Sequence, residues 1–512
     1  MRTKRMIMTS LVSFVALGLR VVSNFIVIRL VIQTFGSQMN GLIATATQIV
    51  QYLNILEGGI GLAIVAMLYQ PLADGNHEKI NNVIHSTNKY FRRIGYLYII
   101  FMIVIAYIYA YSFNHSLPPD TVLNIILLTG LMMLPNFFIY PGATMLIYAD
   151  QRSYVTQFVK AVSYILGPVL MIVLIQLGKN IYVVRLVPIL TNTLVALGTW
   201  LYVRLHYKYL RTKHFIDVKL SNHAKDMFTH KISELIIFNT DIILLSIFTD
   251  FIQVSIYAIY RSIYYMSKNI IIPVILASKA GLGELYTQSD KSSFRKIFSL
   301  YEYILYGLIF VIITSINLVA LSFIKLYADG LDGVLYSNSW TNLLFAGVFI
   351  TDLIKNIHHS MISVAGHFKQ TKNRAFLEAV INMVLSLFFV SSLGIHGVLI
   401  ATLIASMYRL VDIIHYSMKY VLKTSSYQTI SRLLRNAITG LIIYILSDFI
   451  RVEVSGYGQW FMISTLHFIV ISTVFLAVNY VFEPTKFKEV IGRFSPKKVM
   501  TMFKKKEGNH GI

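Results

Sequence analysis

Apolar residues in this chain do not alternate with polar ones at short spacing; they come in blocks. About fourteen runs of roughly 20 residues or more, nearly free of charge, follow one another with short polar connections between them. A run of that length, coiled at about 1.5 Å per residue, crosses the hydrocarbon of a bilayer. The runs cover 6–35, 39–70, 93–113, 121–148, 154–177, 181–206, 228–248, 251–279, 297–324, 340–366, 374–392, 396–420, 431–449 and 459–482, numbered here as spans 1 to 14. They predict an all-α polytopic membrane protein of about 14 transmembrane helices. The first run is too long for the core of a signal peptide and lacks a small-residue cleavage site, so it reads as a retained helix.

The connections alternate in charge. One set carries Arg2, Lys4 and Arg5; Lys79, Lys89, Arg92 and Arg93; Arg152; the segment from Arg204 to Lys231; Lys291, Arg295 and Lys296; Lys369, Lys372 and Arg374; Lys419, Lys423, Arg432 and Arg435; and a tail with Lys497, Lys498 and Lys504 to Lys506. The other holds only Lys179, Lys325 and Arg451. Basic loops stay in the cytoplasm, which puts both termini there and requires an even number of spans.

Composition agrees with this picture. Of 512 residues, 56% are hydrophobic and 13% charged, about half the charged fraction of a soluble domain. The formal charge of +22 is mostly topology, with some attraction to anionic lipid, so nucleic acid is not an expected partner. Cysteine is absent, which excludes disulfides, a thiolate metal site and a cysteine nucleophile.

The chain repeats itself weakly at an offset of 216. YADQRSYV after span 4 answers to VAGHFKQT after span 10; Met145 falls on Met361, Ala149 on Ala365, Asp74 on Asp290 and Leu177-Gly178 on Leu393-Gly394. Six spans per copy place both copies the same way up, as in transporters made of two parallel lobes. The expected organisation is an N-lobe at 1–206, a cytoplasmic linker at 207–227, a C-lobe at 228–420, two extra helices within 431–482 and a basic tail at 483–512.

An ionisable group inside the bilayer costs several kcal/mol unless it meets a partner or a wet cavity. Counted from the span ends, the internal charges collect near mid-depth. Arg20 is central in span 1 and Glu57 nearly so in span 2. Span 7 carries Glu234 and Asp241, seven apart on one face, and span 8 carries Arg261 and Lys268, also seven apart. The two spans run in opposite directions, so Glu234 matches Lys268 in depth and Asp241 matches Arg261. Asp352 with Lys355 on span 10, and Arg409 with Asp412 on span 12, lie within one turn. Arg29 and Arg185 are expected to snorkel, and Glu378 lies near a span end. The remaining five cations, Arg20, Arg261, Lys268, Lys355 and Arg409, face five carboxylates, Glu57, Glu234, Asp241, Asp352 and Asp412. Either these are structural ion pairs, or the carboxylates hold the cations until an anionic substrate displaces them. Gly58, Gly59 and Gly61 follow Glu57 and suit either a hinge at that depth or close helix packing.

The run from Arg29 to Ile80 resembles the opening helix pair of bacterial polysaccharide-unit flippases of the multidrug/oligosaccharidyl-lipid/polysaccharide (MOP) exporter superfamily. The matching elements are Gly36 and Gly41 of the FG…NG turn, EGGIG at Glu57–Gly61 and LYQPLA at Leu68–Ala73. LGIHGVLIATLIAS (Leu393–Ser406) is similar to the start of the family's twelfth helix. The resemblance implies two helix bundles, alternating access, and location in the bacterial cytoplasmic membrane. It implies as substrate an undecaprenyl-diphosphate-linked oligosaccharide, flipped outward for capsule, exopolysaccharide or wall polymer, with polymerases and glycosyltransferases of the same pathway as partners. Arginines in the first and eighth helices line the cavity in relatives that move peptidoglycan precursor; Arg20 and Arg261 stand in those helices here.

No cofactor is expected beyond a coupling ion, either H+ or Na+. Carboxylates at Glu57, Glu234 or Asp241 are candidates for that coupling. A drug/cation antiporter of the same superfamily is the nearest rival, though five internal cations disfavour it. A membrane glycosyltransferase or polymerase is another, disfavoured by short outer connections whose longest, Lys325–Ser339, offers only Asp329 and Asp332. His358-His359 lacks the spacing of a helical metal pair, and no phosphate-binding Gly-Lys loop or nucleophile elbow is present, so no catalytic residue and no metal site is expected.

Overall fold

A computed structural model describes residues 2–57, 60–113, 116–139, 141–211, 240–288, 291–447 and 454–493. Every regular element among them is helical, and ten of the helices are long and apolar enough to cross a membrane. In chain order the helices are α1 (Arg2–Phe35), α2 (Ser37–Leu53), α3 (Ile60–Ala73), α4 (His77–Ser112), α5 (Pro119–Leu131), α6 (Leu134–Phe138), α7 (Pro141–Ala149), α8 (Tyr154–Gln176), α9 (Ile181–Val184) and α10 (Leu186–His206). There follow α11 (240–248), α12 (Phe251–Gln288), α13 (Lys291–Tyr327), α14 (Ser339–Val364), α15 (Phe368–Tyr416), α16 (Tyr427–Ser447), α17 (Tyr457–Phe482) and α18 (Pro484–Arg493).

Several spans are broken where the sequence reads them as continuous. Span 2 leaves α-geometry at Asn54–Glu57, a single 3₁₀ turn, and resumes as α3. Span 4 is three pieces, because Pro135 and Pro141 remove backbone donors and restart the helix as α6 and α7. Spans 11 and 12 form one long element, α15, interrupted only at Gly394 (φ 52°, ψ −128°), a backbone conformation that a side chain would not tolerate. The Gln253 amide oxygen accepts from the Ile395 N–H at 3.1 Å and fixes this break. Of span 7 only α11 falls within the described residues.

By contact the chain forms two compact units. The first comprises Met1–Ala258 with Gly330–Val334 and Leu387–Val398; the second comprises Ile259–Asp329, Leu335–Ser386 and Leu399–Ile512. The segment 240–258, which the sequence assigns to the second lobe, thus groups with the first unit.

Packing in the first unit centres on Leu53, Ile60, Ile64, Tyr98, Phe137 and Leu146, and on Leu42, Ile49, Ile125 and Phe251. Without water to expel, helices in lipid associate through close contact, and small residues allow it. Gly41 shows this: a Cβ there would stand 1.7 Å from the Phe251 carbonyl oxygen. Asp332 closes the start of α2 by accepting from the Ser37 N–H at 2.8 Å.

In the second unit, α16 and α17 pack on α13. Trp460 Nε1 donates to the Val319 carbonyl at 3.1 Å, and the rings of Phe310 and Phe475 lie 6.4 Å apart. Large apolar side chains such as Phe14, Tyr107, Phe158, Phe388 and Phe461 are exposed on the protein surface, the inside-out pattern of helices that face acyl chains.

Candidate functional site

The charges inside the second unit form a row that three helices assemble. α12 brings Lys268, α14 brings Asp352 and Lys355, and α15 brings Arg374, Glu378, Arg409 and Asp412. Lys268 Nζ lies 2.7 Å from Asp352 Oδ2. One turn further along α14, Lys355 Nζ donates to Glu378 Oε1 at 2.5 Å and to Ser406 Oγ at 3.1 Å. The second Glu378 oxygen stands 3.8 Å from Arg409 Nε. Arg409 Nη1 then donates to Asp412 Oδ2 at 2.5 Å, and the other Asp412 oxygen accepts from Arg374 Nη1.

Asp352, Lys355, Glu378 and Arg409 are all buried. The row ends outward at Arg374, whose guanidinium carbon sits 5.3 Å from the centroid of the Tyr416 ring. Four cations meet three carboxylates, so the row carries one net positive charge before any ligand binds. Charges at such burial persist only when each has an opposite partner, and each here has one.

Two pairings differ from those that depth alone suggests. Asp352 and Lys355, one turn apart, each bind a partner on another helix. Glu378, set aside as a span-end residue, is the centre of the row. α15 begins at Phe368, before the apolar run does, so Glu378 is already in the third turn of the helix. Arg409 and Asp412 do pair along their helix. Glu234 lies outside the described residues.

In the first unit, Arg20 is exposed on α1 and within electrostatic reach of Lys160 on α8, a cation that the sequence did not single out. Glu57 ends the 3₁₀ turn, and its charge reaches Tyr90 of α4. Gly61 begins the next helical turn, where a Cβ would come 3.3 Å from Glu57 Oε1 and 3.0 Å from the Met145 methyl carbon. Gly58 and Gly59 lie outside the described residues. Asp241 is buried and accepts from Tyr257 Oη at 2.8 Å. Arg185, expected to snorkel, is instead buried and donates to Thr129 Oγ1 at 2.9 Å, because α9 and α10 turn it inward at their junction. In the second unit, Arg261 is half-buried on α12.

A second buried cluster escaped the sequence reading. Arg432, 1% exposed on α16, donates to Glu302 Oε2 of α13 at 2.7 Å, to both Glu483 oxygens after α17, and to the Ser299 carbonyl. Arg435 adds a bond to Glu483 at 3.0 Å. Arg432 had been counted among the topogenic loop charges, since it stands at the edge of span 13. His358, whose spacing from His359 does not suit a helical metal pair, is fully buried between Tyr306 Oη at 2.8 Å and Ser417 Oγ at 2.9 Å. Asp329 is occupied by the backbone N–H groups of Tyr336 and Ser337. Among the described residues no His/Asp/Glu group is arranged to hold a metal ion.

No family model and no curated relative matches the sequence. Solved structures do match. "Lipid II flippase MurJ, inward closed conformation" aligns with a TM-score of 0.63 at 13% identity, over 93% of this chain and 99% of its own. An inward-facing multidrug resistance MATE family transporter of the MOP superfamily aligns at 0.58 and 14%, over 80% of this chain and 99% of its own. A MATE structure in complex with MaL6 aligns at 0.53 and 14%, over 82% and 97%. In fold, therefore, this chain is an all-α polytopic membrane protein built like the transporters of the MOP superfamily.

Proposed function

We propose that the protein is an alternating-access flippase that carries a polyprenyl-diphosphate-linked oligosaccharide from the cytoplasmic to the outer leaflet, supplying a capsule, exopolysaccharide or wall polymer. The observation that carries this reading is the row of cations inside the second unit, buried at Lys355 and Arg409 and half-buried at Lys268. A polyprenyl tail can stay in lipid while its sugar-diphosphate head cannot, and cations that exchange carboxylate partners for phosphate oxygens lower that barrier. Arg20 in the first unit and Arg261 in the second are further candidates for phosphate contact, each within its own unit, because the planar guanidinium suits phosphate. Protonation of Glu57, Glu234 or Asp241, or sodium binding, supplies the driving force. Both termini lie in the cytoplasm of a bacterial cell.

Coverage also supports this reading. The MATE structures leave about a fifth of the chain unmatched, whereas the flippase leaves 7%. The rival, a multidrug antiporter, has the MATE neighbours in its favour. The test is export in cells that depend on this protein, with Arg20→Ala and Arg261→Ala at wild-type expression. We expect lipid-linked glycan to accumulate on the cytoplasmic side and polymer to fall at least about tenfold, as when a charge-assisted phosphate contact is lost. Undiminished polymer in both variants, or drug efflux in place of glycan export, would reject the flippase.

A further inference from the structure

One end of the second unit contains a cavity that the charged row does not use. It has a volume of about 440 Å³ and opens where α12 ends, α13 begins, α14 turns into α15, and a π-helical turn, Ser417–Leu422, follows α15. Lys291, Lys423 and His367 line it together with the rings of Tyr286, Phe294 and Tyr420, and the described lining includes no carboxylate.

The site is built rather than incidental. Arg295 Nε donates to the Leu422 carbonyl at 2.6 Å and pins the π turn to α13. The next residue, Lys423, is held in the left-handed region (φ 52°, ψ 51°), a conformation that non-glycine residues keep only where the surroundings enforce it. Tyr286 meets Phe294 edge-on at 5.3 Å. Tyr420 stacks obliquely on Tyr416 at 4.9 Å, the ring that carries Arg374, so the cavity adjoins the outer end of the charged row. Lys419 stands beside this wall, its ammonium 5.5 Å from the centroid of the Tyr420 ring.

We infer that this cavity binds the phosphate-ester head group of a membrane lipid. Two ammonium groups supply charge, aromatic walls border the acyl or prenyl stem, and the volume suits one phosphate or diphosphate with its first attached group. The inference is independent of what is transported and in which direction, because it is read by binding.

The test uses full-length protein in detergent or nanodiscs, comparing wild type with Lys291→Ala/Lys423→Gly. Glycine at 423 keeps the turn and removes the charge. Binding is measured with inorganic pyrophosphate, farnesyl diphosphate and phosphatidylglycerol, with phosphatidylcholine as control. The double variant should bind at least one phosphate probe about tenfold more weakly, and Lys291→Arg/Lys423→Arg should restore it. Preference for the diphosphates assigns the site to a lipid-linked substrate; preference for phosphatidylglycerol assigns it to bilayer lipid. Equal binding by wild type and the double variant, or no binding of any phosphate probe by wild type, overturns the inference. Loss of export in Arg20→Ala with binding intact at this cavity separates the two sites.

Discussion

Glu378, 4% exposed, holds two cations at once, Lys355 at 2.5 Å and Arg409 at 3.8 Å. Removing one member of a buried ion pair leaves a charge without its partner and costs about 3–5 kcal/mol, whereas replacing both by apolar groups is often near neutral. Glu378→Gln should therefore lower the unfolding temperature in detergent much more than Lys355→Met/Glu378→Leu does. Additive losses in the double variant would show that the two side chains do not act as a pair. The residue was visible in the sequence but its depth was not: span 11 as read from the sequence begins at 374, and the helix begins earlier, at Phe368. Counting along a span gives depth and says nothing of azimuth. That is why Arg409 and Asp412, on one helix, were matched correctly, while Lys268 was not matched to Asp352.

At the scale of elements, spans such as α8 and α17 follow directly from uninterrupted apolar runs, and the break in span 2 was foreshadowed by Glu57 and its glycines. The three-way division of span 4 was equally readable from Pro135 and Pro141, though its hydrophobicity masked it. The docking of α16 and α17 on α13 was not readable, because it depends on Arg432, which looks like a loop cation. That docking has a pH dependence at its outer partner. Burial by itself would raise the Glu483 carboxyl, but hydrogen bonds and charge from Arg432 and Arg435 outweigh it and hold the group below the ordinary carboxylate range. A carboxyl lowered on folding stabilises fully above its unfolded pKa, and that contribution fades as pH falls through the lower, folded value. Hydrogen exchange along α17 should thus be faster in Glu483→Gln than in wild type at neutral pH, with the two converging in acid. A difference that persists unchanged into acid would mean that Glu483 does not act through its charge.

For the whole molecule, the question is whether α16 and α17 are an accessory or part of the body of the second unit. Arg432 and Glu302 are 1% and 2% exposed, so cutting the chain before α16 strands a carboxylate in the interior of α13 and bares the apolar surface around Phe310. The first effect is electrostatic and can be removed by substitution; the second is packing against lipid and is mild, since lipid can replace the lost helices. A chain ending at Thr424 should therefore aggregate on extraction, and the same chain with Glu302→Leu should recover a monodisperse, helical protein. Export should remain absent in the recovered protein if the two helices hold the lipid tail of the substrate, and should return if they serve only to neutralise Glu302. Aggregation that Glu302→Leu does not relieve would instead make packing, and not the buried charge, the reason the two helices cannot be spared.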